Sequence, residues 1–458
     1  MINSRNLIYT NILDLTNFLT ETYLSIRKLE NEAIKLIYGN QSQLSLEKQI
    51  IKVSINQFYG IEINDFAVSV AKTALWIAES QMMKDTMDLV YADIDFLPLK
   101  TYTNIIEGNA LRIDWKTVIQ PYHLNYIIGN PPFVGARKMT EGQKDDVKRI
   151  FGKKRGIGNI DYVACWYKKA SDFMMDTLIR TALVSTNSVT QGEQTALIFK
   201  DLFDREGFQF NFAYRTFRWD SEATVKAHVH VVIIGFSYVN MPKSIYDGEQ
   251  ISKNVQNINA YLNDGPNVFI ENKAKPIADV HPMIFGSMPN DGGYLSNIDE
   301  DQYNSLTTNY PGIEKFVKRY IGAREFINNK GRYCYWLYKA NPAEWRKILP
   351  IKEAVQSVRE LRSESNRKST KLLAETPYLF GEIRQPSTNY IVVPRVSSEN
   401  RRYVPIGYED KETIAGDSLL IIPDASLYEF GILTSNVHMA WMRAVAGRLK
   451  SDYRYGEL

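Results

Sequence analysis

Cysteine is scarce in this sequence, whose 458 residues contain only Cys165 and Cys334. Two cysteines cannot build a disulfide framework or a four-thiolate zinc site, so both are expected to be core residues in a reducing compartment. No run of about 18 or more apolar residues occurs, which excludes an ordinary membrane-spanning helix. The first ten residues, MINSRNLIYT, lack the basic and apolar regions of a secretion signal. These absences predict a cytoplasmic protein with no membrane partner.

The chain also lacks an excess of either charge, yet its basic residues are unevenly distributed. Lys and Arg number 55 against 52 Asp and Glu, so the formal net charge is +3. Residues 137–155, 351–405 and 436–455 carry net charges of +5, +4 and +3. Basic clusters interleaved with aromatic residues are typical of a surface that contacts phosphates and stacks on bases. Solvated helix faces have the same pattern, and charge alone leaves both interpretations open.

Apolar strand-like runs alternate with helical stretches in the first half of the chain. Strand character is found at residues 8–13, 57–63, 126–128, 181–185 and 229–236. Helical spacing is found at residues 18–38, 67–83 and 162–175, with Asp65 placed to cap the second of these helices. This βαβ pattern predicts an α/β fold, a doubly wound Rossmann-like sheet that is mostly parallel and covered by helices.

The texture of the sequence changes at about residue 240, where Asn, Asp, Pro and Gly become frequent. We therefore predict two domains, at residues 1–240 and 241–458. The second domain is expected to be of mixed α+β type. Residues 342–374 are mostly helical in pattern, and residues 390–396 and 403–406 are strand-like.

The tetrapeptide Asn130-Pro131-Pro132-Phe133 directly follows the apolar run NYIIG. An open α/β sheet places its ligands at the carboxyl ends of its strands, where this tetrapeptide is predicted to lie. The two prolines fix the backbone of the turn, so the Asn130 side chain and the Pro131 carbonyl form two acceptors beside the aromatic face of Phe133. Two acceptors aimed at one exocyclic amine can turn its lone pair towards an electrophile. A plain Asn-Pro turn with a core Phe is the competing interpretation.

This tetrapeptide and its context resemble the adenine-specific amino DNA methyltransferases, whose catalytic motif is [DNS]-P-P-[FYW]. The segment YGIEIN at residues 59–64 resembles their strand that binds the ribose of S-adenosylmethionine. The resemblance implies that Glu62 accepts from the ribose hydroxyls and that Ile63 packs on the cofactor adenine. GNAL at residues 108–111 resembles the next cofactor loop, with Asn109 beside that adenine ring. Glu62, Asn109 and Asn130 follow successive predicted strands in the order found in this family.

The second half resembles the target-recognition region of the single-chain type IIG/IIL (Mme-type) restriction–modification enzymes. The matching segments include PNDGG, LFGEIRQP, VPRVSSENRRYVPIGY and HMAWMRAVAGRLKSDYRY. The order of cofactor motifs, NPPF and recognition region is the gamma arrangement of amino methyltransferases. The resemblance therefore implies a class I methyltransferase domain at residues 1–240 and a DNA target-recognition domain at residues 241–458.

The activity implied by the resemblance is site-specific methyl transfer from S-adenosylmethionine to the exocyclic amine of an adenine in double-stranded DNA. The adenine would be flipped out of the duplex, since its amine cannot be reached within the stack. Asn130 and the Pro131 carbonyl would hold the amine while Phe133 stacks on the base. Positioning would supply most of the acceleration, with no metal or general base.

Sequence readout is predicted for polar residues of the second half, because Arg pairs with guanine and Glu accepts from cytosine. The candidate DNA-binding residues are Arg384, Arg395, Glu399, Arg401 and Arg402. The pattern does not separate base readers from phosphate contacts. His228 and His230 share one face of a predicted strand but have no nearby third ligand, so no metal site is expected.

The glycine-rich first cofactor loop of the family has no full counterpart in this sequence. The matching stretch, Asp14-Leu15-Thr16-Asn17-Phe18-Leu19, is shorter and contains no glycine. Glycines let backbone N–H groups approach a ligand at a helix N-terminus, so the methionine end of the cofactor lacks its usual cradle. Asp14 is the candidate cofactor contact in this stretch.

The sequence leaves two other hypotheses open, one from the shortened cofactor loop and one because NPP[YF] also serves glutamine and RNA substrates. The first is a catalytically inactive DNA-recognition fragment that has lost cofactor binding. The second is a methyltransferase acting on RNA or protein amides, which the long match in the second half disfavours. The upstream nuclease and helical connector of the family have no counterpart in this sequence. DNA cleavage is therefore not expected, and a nuclease partner would be separately encoded.

Overall fold

The computed structural model of the chain describes residues 7–10, 15–38, 51–90, 104–219, 229–248, 250–271, 278–449 and 452–455. Contacts divide the chain into Met1–Glu271 and Asn272–Leu458, which we name unit 1 and unit 2. The predicted boundary near residue 240 lies between two strands of one sheet, so unit 1 continues beyond it. No helix among the described residues is long and apolar enough to cross a membrane.

Unit 1 is built on a sheet of nine described strands. They are β1 (Leu7–Thr10), β2 (Phe58–Glu62), β3 (Ile105–Glu107), β4 (Tyr126–Gly129), β5 (Arg180–Thr186), β6 (Gln209–Trp219), β7 (Val229–Ser237), β8 (Lys243–Asp247) and β9 (Gln250–Val255). Their spatial order is β3-β2-β1-β4-β5-β7-β6-β8-β9. Strands β1 to β5 are parallel, and β7 inserts antiparallel between β5 and β6. The strand order reverses beside β1, where open α/β sheets bind ligands.

Helices cover both faces of this sheet, because neighbouring residues of a strand point to opposite sides. The helices are α1 (Leu15–Tyr38), α2 (Asp65–Val90), α3 (Glu141–Phe151), α4 (Ala164–Phe173) and α5 (Gly192–Phe203). Ile127 of β4 packs into the hydrophobic cluster that includes α4 and α5. Its neighbours Tyr126 and Ile128 pack against the cluster that includes α1 and α2. The predicted doubly wound α/β class is confirmed.

Helix α2 has a different cap from the predicted one. The prediction of Asp65 as the cap was wrong, because the helix already begins at Asp65. The side chain of Asn64 provides the cap instead, and its Oδ1 accepts the backbone N–H of Ala67 at 3.1 Å.

The described residues of unit 2 form short helices and three small sheets. Its helices are α6 (Glu300–Asn309), α7 (Ala323–Asn328), α8 (Pro342–Trp345), α9 (Leu349–Ser363), α10 (Lys368–Leu372), α11 (Leu427–Leu433) and α12 (Asn436–Val445). Its strands are β10 (Ile284–Phe285), β11 (Val317–Ile321), β12 (Tyr333–Tyr335), β13 (Tyr390–Pro394), β14 (Val396–Ser397), β15 (Gly407–Glu409), β16 (Ile414–Ala415), β17 (Leu419–Pro423), β18 (Gly447–Leu449) and β19 (Asp452–Arg454). The sheets have the orders β10-β17-β13-β15, β12-β11-β16 and β14-β19-β18. The expected mixed α+β architecture is confirmed.

The strand predicted at residues 403–406 was wrong, since these residues form a loop and the strand follows at β15. The apolar pattern has another cause. Val404 is buried in the cluster that contains Met439 and Met442 of α12, and Pro405 has no N–H for a strand ladder.

A buried arginine joins several loops of unit 2. Arg362 of α9 is completely buried, and its guanidinium donates to five backbone carbonyls at 2.9–3.1 Å. The accepting residues are Pro289, Asn290, Leu373, Thr376 and Leu379. All five donors of the guanidinium are therefore used. Burial lowers the pKa of Arg362, which nevertheless stays charged at neutral pH because an ordinary arginine titrates far above it.

Candidate active site and recognition surface

The predicted site residues of unit 1 lie along one edge of the sheet. Glu62 ends β2, Asn109 follows β3 and Asn130 follows β4. These strands are parallel, so their carboxyl ends meet at one edge, and the backbone N–H of Gly108 donates to the Glu62 carbonyl at 2.7 Å. One strand, β1, separates β2 from β4, which puts their ends about 10 Å apart.

Glu62 is held at the end of its strand by the backbone that follows it. The residue is 5% exposed, and its Oε1 accepts the N–H groups of Ile63 at 2.8 Å and Asn64 at 3.3 Å. Ile63, in contrast, is 57% exposed. A fixed carboxylate thus stands beside an uncovered apolar side chain, a pair suited to a ribose and an adenine ring.

Asn109 is fixed by a buried carboxylate that the sequence analysis missed. Its Nδ2 donates to Asp146 Oδ2 at 3.0 Å, and its Oδ1 accepts the N–H of Leu111 at 2.9 Å. Asp146 also accepts from Arg112 Nε at 2.7 Å and from the Tyr162 hydroxyl at 2.8 Å. Burial, together with the hydrogen bond to Asp146, raises the pKa of Tyr162 and keeps its hydroxyl a donor. Helical spacing offered a signal, because Asp146 precedes the buried Val147 on α3.

A lysine holds the rest of the same loop. Lys169 Nζ donates to the carbonyls of Leu111 at 2.9 Å and Ile113 at 2.6 Å and lies 5.6 Å from the centre of the Trp115 ring. Burial lowers the pKa of Lys169 to about 8. The loop after β3 is thus tied to both α3 and α4. No sequence signal distinguished Lys169 from the neighbouring Lys168.

The tetrapeptide at residues 130–133 contains a buried acceptor to which no described residue donates. Asn130 Oδ1 is buried and receives no hydrogen bond from any described residue. An unpaired buried acceptor costs about 1–3 kcal/mol, so such atoms call for a functional explanation. Pro131 is buried, and Pro132 and Phe133 are half-buried. Phe133 belongs to none of the hydrophobic clusters of the described residues, which argues against a core role for its ring.

The candidate recognition residues of unit 2 form two groups. Arg384 and Arg395 both lie against the ring of Phe285, with guanidinium carbons 5.7 and 4.6 Å from its centre. Arg384 Nη1 also donates to the Gly286 carbonyl at 3.2 Å, and Arg395 Nη1 donates to the Asp417 carbonyl at 3.1 Å. These two arginines are therefore held in fixed orientations.

The second group, Glu399, Arg401 and Arg402, lies exposed in the loop after β14. The structure adds Arg443 of α12, whose Nη2 donates to the Arg402 carbonyl at 2.8 Å. It also adds Arg448, which lies 3.8 Å from the centre of the Tyr453 ring in the β18–β19 hairpin. The net positive charge of residues 351–405 and 436–455 indicated these basic stretches, but it did not separate base readers from phosphate contacts.

Some sequence predictions fall outside the described residues. Asp14 and His228 are among these. His230 lies on β7, and no group of His, Cys, Asp and Glu side chains in the described part of the chain could hold a metal ion.

Comparison with known protein families assigns both units. Residues 14–247 match the model of the MmeI DNA-methyltransferase domain, and residues 264–458 match that of the MmeI target recognition domain. The chain belongs to the MmeI family. The resemblance to Mme-type restriction–modification enzymes is thereby confirmed, as is the order of methyltransferase domain and then recognition domain in this MmeI-family chain.

Two relatives illustrate the extent of the match. The DNA methyltransferase A of Bacillus subtilis (strain 168) is 41% identical over 447 residues, which are 96% of this MmeI-family chain and 50% of that protein. A solved structure of the type IIL restriction–modification enzyme MmeI in complex with DNA is 38% identical, with a TM-score of 0.88 over 98% of this chain and 61% of that one. The chain thus spans about half the length of the curated relative it matches.

Proposed function

We propose that this chain is an adenine-N6 DNA methyltransferase that takes its methyl group from S-adenosylmethionine and acts on a base extruded from double-stranded DNA. The observation that carries the proposal is the buried, unpaired Oδ1 of Asn130 at the carboxyl end of β4. The MmeI methyltransferase and recognition domains support the choice of DNA as substrate. Because the chain matches only half of its curated relative, the activity is proposed for this chain on its own residues.

Asn130 can orient an exocyclic amine. Its Oδ1 would accept one N–H of the amine and the Pro131 carbonyl the other, leaving the nitrogen lone pair directed away from both. The amine thereby satisfies the orphaned acceptor, so binding the target recovers the cost of burying Oδ1. Phe133 would stack on the extruded base, because its ring belongs to no hydrophobic cluster of the described residues. Positioning of this kind accelerates a transfer without acid–base chemistry.

The residues on the neighbouring strands fit S-adenosylmethionine. The fixed Glu62 carboxylate suits ribose hydroxyls, the exposed Ile63 suits an adenine ring, and Asn109 lies next along the same edge. When bound, the cofactor supplies an activated methyl group on a sulfonium. The stretch that replaces the glycine-rich loop forms the start of α1 from Leu15 onwards. Its backbone N–H groups at the helix N-terminus can face the cofactor without glycine.

The proposal is tested by giving the full chain S-adenosylmethionine and unmethylated duplex DNA and identifying modified nucleosides by mass spectrometry. We expect N6-methyladenine from the wild-type chain and none from Asn130→Ala, with duplex binding retained. The matched control is Asn240→Ala, an exposed asparagine of unit 1, which should methylate normally. Full activity of Asn130→Ala, or methylcytosine as the product, contradicts the proposal.

Calorimetry distinguishes a methyltransferase from the alternative hypothesis, an inactive DNA-recognition fragment that has lost cofactor binding. Titration of S-adenosylmethionine into the wild-type chain should release heat with a single-site isotherm. If no heat is released at about millimolar ligand, the binding free energy is weaker than roughly 4 kcal/mol. That result would favour the inactive DNA-recognition fragment.

A further inference from the structure

We propose that Asp161 is a positioning residue of the methyl-transfer site, which fixes the backbone of the loop that carries Asn130 and Phe133. The inference rests on the proposed function, since it assigns a role in that same site. Asp161 lies just before α4, thirty-one residues after Asn130 in sequence, and its carboxylate accepts from Ala136 and Ser188 rather than from Asn130.

The Asp161 carboxylate joins the loops that follow two neighbouring strands. Its Oδ1 accepts the backbone N–H of Ala136, in the loop after β4, at 3.1 Å. Its Oδ2 accepts the hydroxyl of Ser188, in the loop after β5, at 2.5 Å. The backbone N–H of Asp161 in turn donates to Gln194 Oε1 of α5 at 2.9 Å. The carboxylate is thus anchored on one side and holds the catalytic loop on the other.

The next residue, Tyr162, also holds the loop after β4. The backbone N–H of Tyr162 donates to the Val134 carbonyl at 2.9 Å, and the N–H of Val134 donates to the Pro132 carbonyl at 3.1 Å. The Tyr162 hydroxyl donates to Asp146, which also holds Asn109. The dipeptide Asp161-Tyr162 therefore links the catalytic loop to the loop after β5 and to the predicted cofactor loop.

The chemistry of the two partners explains why a polar side chain with an acceptor oxygen is needed at this position. The Ala136 N–H is a donor only, and the Ser188 hydroxyl donates to Asp161 in the observed arrangement. An ionised carboxylate accepts from both, in charge-assisted hydrogen bonds. Asparagine could keep the Ala136 bond through Oδ1 and donate from Nδ2 to the Ser188 oxygen, because a hydroxyl can reverse its role. Alanine would release the loop.

The test compares Asp161→Ala and Asp161→Asn with the wild-type chain. For Asp161→Ala we expect kcat to fall about 10- to 100-fold, with KM for S-adenosylmethionine and for DNA nearly unchanged, because small displacements of reacting groups cost this much. Asp161→Asn should recover most of kcat. Hydrogen exchange of residues 130–139 should accelerate in Asp161→Ala and stay slow in Asp161→Asn. The control is Asp172→Ala, which removes the ion pairs that Asp172 of α4 makes with Lys168 and Arg205.

Three results would overturn the proposal: a kcat of Asp161→Ala within about twofold of wild type, an Asp161→Asn variant as slow as Asp161→Ala, or an equal loss in the control. If the wild-type chain methylates no DNA, the proposed function fails. In that case the hydrogen exchange of residues 130–139 still decides whether Asp161 fixes the loop.

Discussion

The side-chain amide of Asn109 donates to the carboxylate of Asp146 at 3.0 Å, which joins the loop after β3 to helix α3. Helix α3 itself follows the loop that carries Asn130, so Asp146 connects the predicted cofactor loop to the segment that follows the predicted catalytic loop. Asp146 is 2% exposed and also accepts from Arg112 and Tyr162. A substitution of Asp146 should therefore weaken cofactor binding, because it releases the side chain of Asn109.

For Asp146→Asn we predict weaker binding of S-adenosylmethionine, by about tenfold, because one carboxylate oxygen becomes a donor that faces another donor. The measurement is a calorimetric titration of the cofactor into the full chain. The matched control is Asp145→Asn, since its neighbour Asp145 lies at the surface and pairs with Arg149 at 3.5 Å. Equal affinities for Asp146→Asn and wild type would show that Asn109 needs no anchor.

The strand ends of unit 1 could be predicted from the sequence, but their supports could not. Glu62, Asn109 and Asn130 each follow an apolar run, and parallel strands bring such positions to one edge by geometry alone. Asp146 and Asp161 make hydrogen bonds with residues 16 to 37 positions away, which no local periodicity encodes. For Asp146 the sequence offered one signal, because the residue precedes the apolar Val147 on the buried face of α3.

The candidate recognition residues show a second limit of prediction from the sequence. Charge located all five of them, yet only the structure separates Arg384 and Arg395, held against Phe285, from the exposed Arg401 and Arg402. An arginine held in one orientation is suited to reading a base edge, whereas an exposed one is suited to a phosphate. This division was invisible in the sequence because Phe285 lies about a hundred residues from both arginines.

The two groups should respond differently to mutation. For Arg401→Gln we predict a slope of log affinity against log salt that is shallower by about 1, with sequence preference unchanged, since a lost phosphate contact releases one counterion fewer. For Arg395→Gln we predict relaxed preference at one base pair, worth about 1–3 kcal/mol. Binding is measured by fluorescence anisotropy on cognate and substituted duplexes over a salt series.

Arg359→Gln is the control for this pair, because Arg359 is an exposed arginine of α9 and should change neither property. If none of Arg384, Arg395, Glu399, Arg401 and Arg402 alters either slope or preference when substituted, the recognition surface lies elsewhere on the chain.

The buried guanidinium of Arg362 should contribute to the stability of unit 2. Lysine has three donors against five, so Arg362→Lys leaves at least two buried carbonyls unpaired, and we predict a loss of about 2–4 kcal/mol in the free energy of unfolding. Urea unfolding measures the loss, and hydrogen exchange should locate it in unit 2. Arg359→Lys, on the exposed side of the same helix, should be neutral. An equally stable Arg362→Lys would mean that the loops at residues 289–290 and 373–379 are held by packing rather than by the guanidinium.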